Sequence, residues 1–342
     1  IDSSYNRVDN RTRLYYTAKF NDDFKFVNKF EHNTAWGDDN GGDVGADGTG
    51  LLRIKNSYAD FNLGMVNTKV GIQGGTLARG FLFSDDFSGI RVTVDAGAAT
   101  IPLWWIRDTG EYVSGDGYDE DTFAADVKIN LGDMGSVEPY IVYHTANNAA
   151  SDLDEFFLGV DADMKFGPAS MWATFIYQGG TNMADQDNKG YLFAVGGSVN
   201  IVHGEFFYAS GDDSPGDGDS DAFVALKGDS YYWSEIMGYG VFDNQVSNGS
   251  PGDSITNIYA FNVGVKIKPI DKLTLSADLW YANLAEENLL GDDELGTEVD
   301  LKATYALMDN LNLDLVGAYL FAGDATGDED PVEVGARLSL SF

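Results

Sequence analysis

The sequence predicts an all-β chain, closed as a transmembrane antiparallel up-and-down β-barrel of about 16–18 strands. Three observations carry that expectation. The hydrophobic pattern has a period of two, short turns alternate with long acidic loops, and aromatic residues crowd the strand ends.

The period is plainest at the C-terminus, in "EVGARLSLSF". There Val334, Ala336, Leu338, Leu340 and Phe342 alternate with Glu333, Gly335, Arg337, Ser339 and Ser341. Successive side chains of a strand point to opposite faces, so this alternation means one apolar and one wet face. The pattern recurs in "DTFAADVKINL", "IYAFNVGVKIK", "KLTLSADLWY" and "NLNLDLVGAYLF". Strands are expected near 10–20, 23–32, 51–62, 65–74, 88–96, 98–107, 121–131 and 137–145. The series continues at 154–166, 169–178, 190–200, 202–210, 258–268, 273–282, 297–305, 311–321 and 332–342.

Punctuation supplies the two unlike ends. Short connections such as "FNDDF", "LGDMGSV", "FGPA", "KPIDKL" and "YALMDNL" alternate with long Gly/Asp-rich stretches such as "NTAWGDDNGGDVGADGTG" and "DTGEYVSGDGYDE". Short periplasmic turns and long acidic extracellular loops are the expectation. A soluble β-sandwich also alternates, but its strands are shorter, usually about 5–6 residues. Ten residues at ~3.3 Å each and ~40° tilt rise about 25 Å, the height of an outer-membrane apolar band. Tyr15, Tyr16, Phe20, Phe24, Trp104, Trp105, Phe156, Phe166, Trp172, Tyr305, Tyr319 and Phe321 are read as interfacial girdles.

These strands number 17, and the first and last run in the same direction, so they cannot pair antiparallel. A missing N-terminal strand is expected, with Ile1–Asp9 belonging to a first long loop and residues 1–342 forming a single barrel domain.

Composition narrows the function classes. Lys and Arg number 21 against 55 Asp and Glu, a formal charge of −34, which argues against a nucleic-acid partner. Cysteine is absent, which excludes disulfides, thiolate catalysis and thiolate zinc sites. No apolar run is long enough for a membrane helix, and no basic-then-apolar leader is present. The three histidines, His32, His144 and His203, share no metal-ligand spacing, and no enzyme is expected. In "DGDSDA", Asp217, Asp219 and Asp221 sit at alternate positions as in a calcium loop, but Ala222 and Gly228 occupy the places of the required Gly and Glu. No cofactor is expected, beyond weak divalent-cation (Ca²⁺) binding at these acidic loops.

Together the features resemble the bacterial outer-membrane porins over nearly the whole chain. The sharpest local element is the terminal strand Ala336–Phe342 ending in an aromatic. The resemblance implies a water-filled channel for passive diffusion of small hydrophilic solutes and ions. It implies a homotrimer in the outer membrane, bordered by lipid and lipopolysaccharide, and a last strand that pairs with the first. It also implies that a third external loop folds inward, which with a restored first strand would be "TLARGFLFSDD", Thr76–Asp86. A specific channel for a sugar, oligosaccharide or anionic nutrient, and a plugged structural or adhesive barrel, are the alternative readings.

A barrel of this size is too wide for side chains to fill. Alternation then turns Arg11, Arg13, Lys25, Lys29, Arg53, Lys55, Lys69, Arg91 and Lys128 toward the lumen. The later strands turn acids inward: Asp161, Asp163, Glu205, Asp278, Asp300, Asp314 and Glu333. A basic wall facing an acidic one would impose a transverse field. The cluster Arg11, Arg13, Arg53 and Lys55 calls for a counter-charge such as Asp85 or Asp86, and Arg79 is the selectivity candidate in the inward loop.

Overall fold

The computed structural model describes residues 6–37, 52–110, 119–147, 152–242, 251–327 and 329–342. Most of the two acidic loops expected after the second and sixth strands lies outside them. Among the described residues the chain is one continuous wall, antiparallel except for a two-residue parallel pairing of Asp187–Asn188 with Asp219–Ser220, with two short 3₁₀ turns. In order come β1 (Asp9–Lys19), β2 (Phe24–Ala35), β3 (Leu52–Leu63), β4 (Val66–Leu77), β5 (Phe83–Asp95) and β6 (Ala99–Thr109). Next are β7 (Asp119–Asp126), β8 (Lys128–Asn130), β9 (Gly135–Asn147), β10 (Asp152–Phe166) and β11 (Ala169–Thr181). The two-residue β12 (Asp187–Asn188) precedes β13 (Tyr191–Val199) and β14 (Val202–Ala209). After β15 (Asp219–Ser220) come β16 (Ile258–Ile270), β17 (Leu273–Leu284), β18 (Glu294–Met308), β19 (Leu311–Ala322) and β20 (Val332–Leu340).

Each wall strand pairs with the next in sequence, the signature of an up-and-down barrel. The strand expected at 121–131 is broken at Val127, which donates to Pro139 O of β9 (3.0 Å). Proline has no N–H to return, so the ladder lapses there and resumes in β8. Turns on one side are tight, and at Phe20–Phe24 the Asn21 side chain caps the amide of Asp23 (2.9 Å).

Two edges stay unpaired among the described residues: β1 pairs only with β2, and β20 only with β19. Both run from the loop side to the turn side, as the parity of the sequence reading required.

The outer face is apolar. Leu14, Ile141, Leu158, Phe175, Phe193, Phe261, Leu279, Leu301 and Leu315 are all exposed on it. Phe20 stacks on Phe24 (4.8 Å between ring centroids) at the turn side, and Tyr191 on Tyr208 (5.6 Å) at the loop side. Three of the expected girdle residues face inward instead. Trp104 and Trp172 lie under arginines of the lumen, and Tyr15 lies beside Lys29. Neighbours on a strand point to opposite faces, so Trp104 and Trp105 could not both meet lipid.

Inside, the loop-side half holds a packed core. Inward residues Ile106, Val142, Phe157, Ile176, Leu192, Phe207, Ile258 and Leu320 meet Phe81 and Leu82 from the β4–β5 connection. Phe223, Leu226, Trp233, Ile236, Met237 and Ile255, from the long segment between β14 and β16, complete it.

Candidate functional site

These two segments meet inside the wall. The β4–β5 connection is shorter than expected. Thr76 and Leu77 belong to β4 and Phe83–Asp86 to β5, because ladder pairing persists from Gly75↔Asp85 to Leu77↔Phe83. Only 78–82 leaves the wall. Ala78, Arg79 and Gly80 all have positive φ (50°, 58° and 100°). L-residues rarely adopt that region, and holding Ala78 and Arg79 there costs on the order of 1–3 kcal/mol each. Surrounding contacts supply that energy. Gly80 O accepts from Ser230 N (3.0 Å), Gly228 O accepts from Ser84 N (2.8 Å), and Phe81 stacks on Tyr231 at 3.8 Å. A Cβ on Gly80 would lie 2.3 Å from Ser230 O, so only glycine permits this zipper.

Arg79 reaches the opposite strands β10 and β11. Its guanidinium pairs with Asp163 (3.0 Å), donates to Thr174 Oγ1 and Ala162 O (3.2 Å each), and lies 5.1 Å from the Trp172 ring. Thr174 in turn donates to Asp161 (2.7 Å). The arginine is anchored, with its charge three-quarters shielded.

The other predicted lumen residues are distributed as follows. Arg11 donates to Asn33 (3.0 Å), and Arg13 pairs with Glu31 (2.7 Å). Lys25 pairs with Asp60 (3.2 Å), and Lys29 lies 5.6 Å from the Tyr15 ring. Arg53 is exposed opposite Glu31, and Lys55 pairs with Asp86 (3.2 Å) and approaches Glu31 (4.0 Å). Lys69 stands in register between Asp60 and Arg91, 5.5 Å from the Tyr58 ring. Arg91 stacks 4.2 Å from Trp104, with its buried Nε lacking a hydrogen-bond partner. Asp85 is exposed on β5 and caps the amide of Asp86 (2.7 Å), while Lys128 pairs with Glu138 (3.6 Å). The β1–β5 wall is therefore interleaved with Glu31, Asp60 and Asp86 rather than uniformly basic.

On the later strands, Glu205 accepts from the Tyr231 hydroxyl (3.2 Å), Asp278 pairs with His203 (2.6 Å), and Asp314 pairs with Arg337 (3.0 Å). Near the loop-side rim, His144 lies between Glu120 (3.1 Å) and Glu155 (3.5 Å).

The Asp217, Asp219 and Asp221 set is not gathered. Asp217 caps the amide of Asp219 (2.9 Å), and Asp219 pairs with Lys189. Asp221 instead joins Asp212 and Asp213, whose carboxylate oxygens lie within 4.8 Å of one another. Only Asp219 of the three lies in a strand, the two-residue β15, so alternation does not carry over to Asp217 and Asp221.

Sequence reasoning missed the inward packing of 223–242 and Ile255 and the buried Glu298, which holds the former segment by two backbone amides. The available signal was composition: Phe223, Leu226, Trp233, Ile236, Met237 and Ile255 are too apolar for a solvated loop.

The sequence matches no protein-family model and no curated protein. The fold does match solved structures. The outer membrane protein OpdK of Pseudomonas aeruginosa superimposes with a TM-score of 0.62 at 10% identity, over 97% of this chain and 92% of that one. A BenF-like porin from Pseudomonas fluorescens Pf-5 gives 0.60 at 12% identity, over 98% and 92%. OccK5 (OpdH) of Pseudomonas aeruginosa gives 0.59 at 14% identity, over 98% and 95%. With membrane-length strands, an apolar outer face and a charged interior, the chain has the fold of the Gram-negative outer-membrane porins, a transmembrane antiparallel β-barrel.

Proposed function

We propose that the protein is an outer-membrane porin, a water-filled channel for passive diffusion of small hydrophilic solutes and ions. One observation carries this: inward-facing charges keep substantial contact with solvent. Side-chain exposure is 48% for Lys25, 54% for Lys128, 53% for Asp163 and 45% for Arg337. Lumen ions so hydrated require continuous water, since an unsolvated charge costs several kcal/mol. The solute passes alongside the joined 78–82 turn and 228–231 strip, with Arg79 held there on its Asp163 anchor.

The unpaired edges support a further strand between β1 and β20, antiparallel to both, because open backbone in lipid costs several kcal/mol per group. Homotrimeric assembly, and divalent-ion bridges from the acidic loops to lipopolysaccharide, belong to the same proposal. The gathered carboxylates of Asp212, Asp213 and Asp221 support the latter.

The test is reconstitution in planar bilayers. Stepwise single-channel conductance is expected, and its reversal potential in a salt gradient reads ion preference. A folded barrel with no conductance would overturn the channel reading.

A further inference from the structure

Besides the core packing of Trp233, Ile236 and Met237, the segment Trp233–Phe242 is tied to the lumenal face of β18–β20 mainly through carboxyl groups. Glu298 is fully buried, and its two oxygens accept from the amides of Ile236 (2.6 Å) and Met237 (2.9 Å). Asp300 accepts from the amide of Glu235 (3.3 Å), and Glu235 itself accepts from that of Val241 (2.6 Å). Arg337 donates to Val241 O (2.9 Å) while paired with Asp314. The Phe242 ring fills the space over Gly335, where any Cβ would come within 2.4 Å.

The seat is crowded with acid. Glu235, Asp300 and Glu333 are 9%, 7% and 8% exposed. Register places Asp278, Asp300, Ala318 and Glu333 in one row across β17–β20, with Glu298 two residues along β18. Both oxygens of Glu333 and Oδ1 of Asp300 are buried without a hydrogen-bond partner. The cations facing this patch are Lys302 on β18 and Arg337 on β20, the latter held by Asp314 of β19. Asp278 of β17 is engaged by His203 of β14.

We propose that Trp233–Phe242 is a proton-dependent latch, docked while the Glu235–Asp300–Glu333 cluster retains protons and released into the lumen as those groups ionise. Four carboxylates cannot all be charged in one buried patch, because like charges repel strongly where water is excluded. Glu298 meets two amide donors, Asp300 and Glu235 meet one each, and Glu333 meets none. Glu235 lies on the moving segment. Burial pushes its carboxyl above the ordinary value of 4.5; the Val241 amide and Lys302 pull it down, and Glu298 adds to the rise. A group whose docked value is raised stabilises docking at low pH. That contribution declines as pH rises from 4.5 through the docked value. The latch affects solute passage only through the channel reading above, but docking can be read without conduction.

The chain has no cysteine, so Met237→Cys gives a single thiol at a fully buried latch position, and Met183→Cys (Met183 is 42% exposed) gives a reference. Labelling by a water-soluble maleimide is measured from pH 5.5 to 8.5 on the folded full chain and divided by the reference rate. The ratio is expected to rise at least tenfold, and to stay flat when Glu235→Gln and Glu333→Gln are added. A flat ratio in the parent, or an unchanged rise with both glutamines, would overturn the latch. Should Met237→Cys not fold, amide exchange at Ile236 and Met237, corrected for intrinsic rates, decides the same question. Labelling that behaves as expected in a barrel without conductance would sink the channel reading and leave the latch standing.

Discussion

At residue scale the decisive pair is Arg79 and Gly80. Arg79 ties the inward turn to β10 and β11 through Asp163, Thr174 and the Ala162 carbonyl. Arg79→Ala removes three polar contacts and the stacking on Trp172, and leaves Asp163 without its cation. Larger single-channel conductance is expected, with a shift of reversal potential toward cations, because the lumen there loses a fixed positive charge. Unchanged conductance and selectivity would remove Arg79 from the solute path. Gly80→Ala strains a φ of 100° and drives a Cβ against Ser230 O. A loss of about 2–4 kcal/mol is expected in denaturant unfolding from detergent.

At the scale of elements, Leu226–Phe242 together with Ile255 forms an inward segment held by packing and by buried polar contacts. Phe81 is 1% exposed and touches Tyr231, Phe207 and Trp172. Phe81→Ala is expected to cost about 3–5 kcal/mol, the usual range for a truncated core aromatic, and to raise protease sensitivity within 226–242. Asp229 gives this segment a pH dependence. Burial lifts its carboxyl to about 6, against the hydrogen bond from Ser254, while neighbouring Asp253 adds to the rise. A raised value stabilises the packed form at low pH, and that contribution fades between about 4 and 6. Thermal stability should fall across that window in the parent and fall less in Asp229→Asn.

For the whole molecule, the prediction concerns the wall. Ten of the eleven residues of β1 are exposed, and its outer edge has no partner strand among the described residues. Amide exchange in detergent should be fast along the unpaired edges of β1 and β20 and slow in β16–β18, which have neighbours on both sides. Uniform protection across all strands would show the seam already closed.

How much was legible follows from which signals are local. Strand existence, the turn and loop sides, the count of 17 and the parity fault were all readable, because alternation and Gly/Asp punctuation report backbone geometry residue by residue. The inward direction of Arg13, Lys25, Lys55 and Lys69 followed from the same alternation. Their partners did not: Glu31, Asp60 and Asp86 lie on other strands, and pairing depends on register. Trp104 and Trp172 were misplaced because aromatic composition marks strand ends without saying which face each ring takes.

The sequence by itself determined an antiparallel, membrane-height wall with an apolar outside, a charged inside and first and last strands that run the same way. Only the tertiary structure decided that segments distant in sequence, 78–82 and 223–242, fold together inside that wall. It also decided that Arg79 is matched to Asp163 and that a carboxyl-lined seat holds Trp233–Phe242. The reason is physical: strand alternation is a property of consecutive residues, whereas the filling of a lumen depends on contacts made across its width.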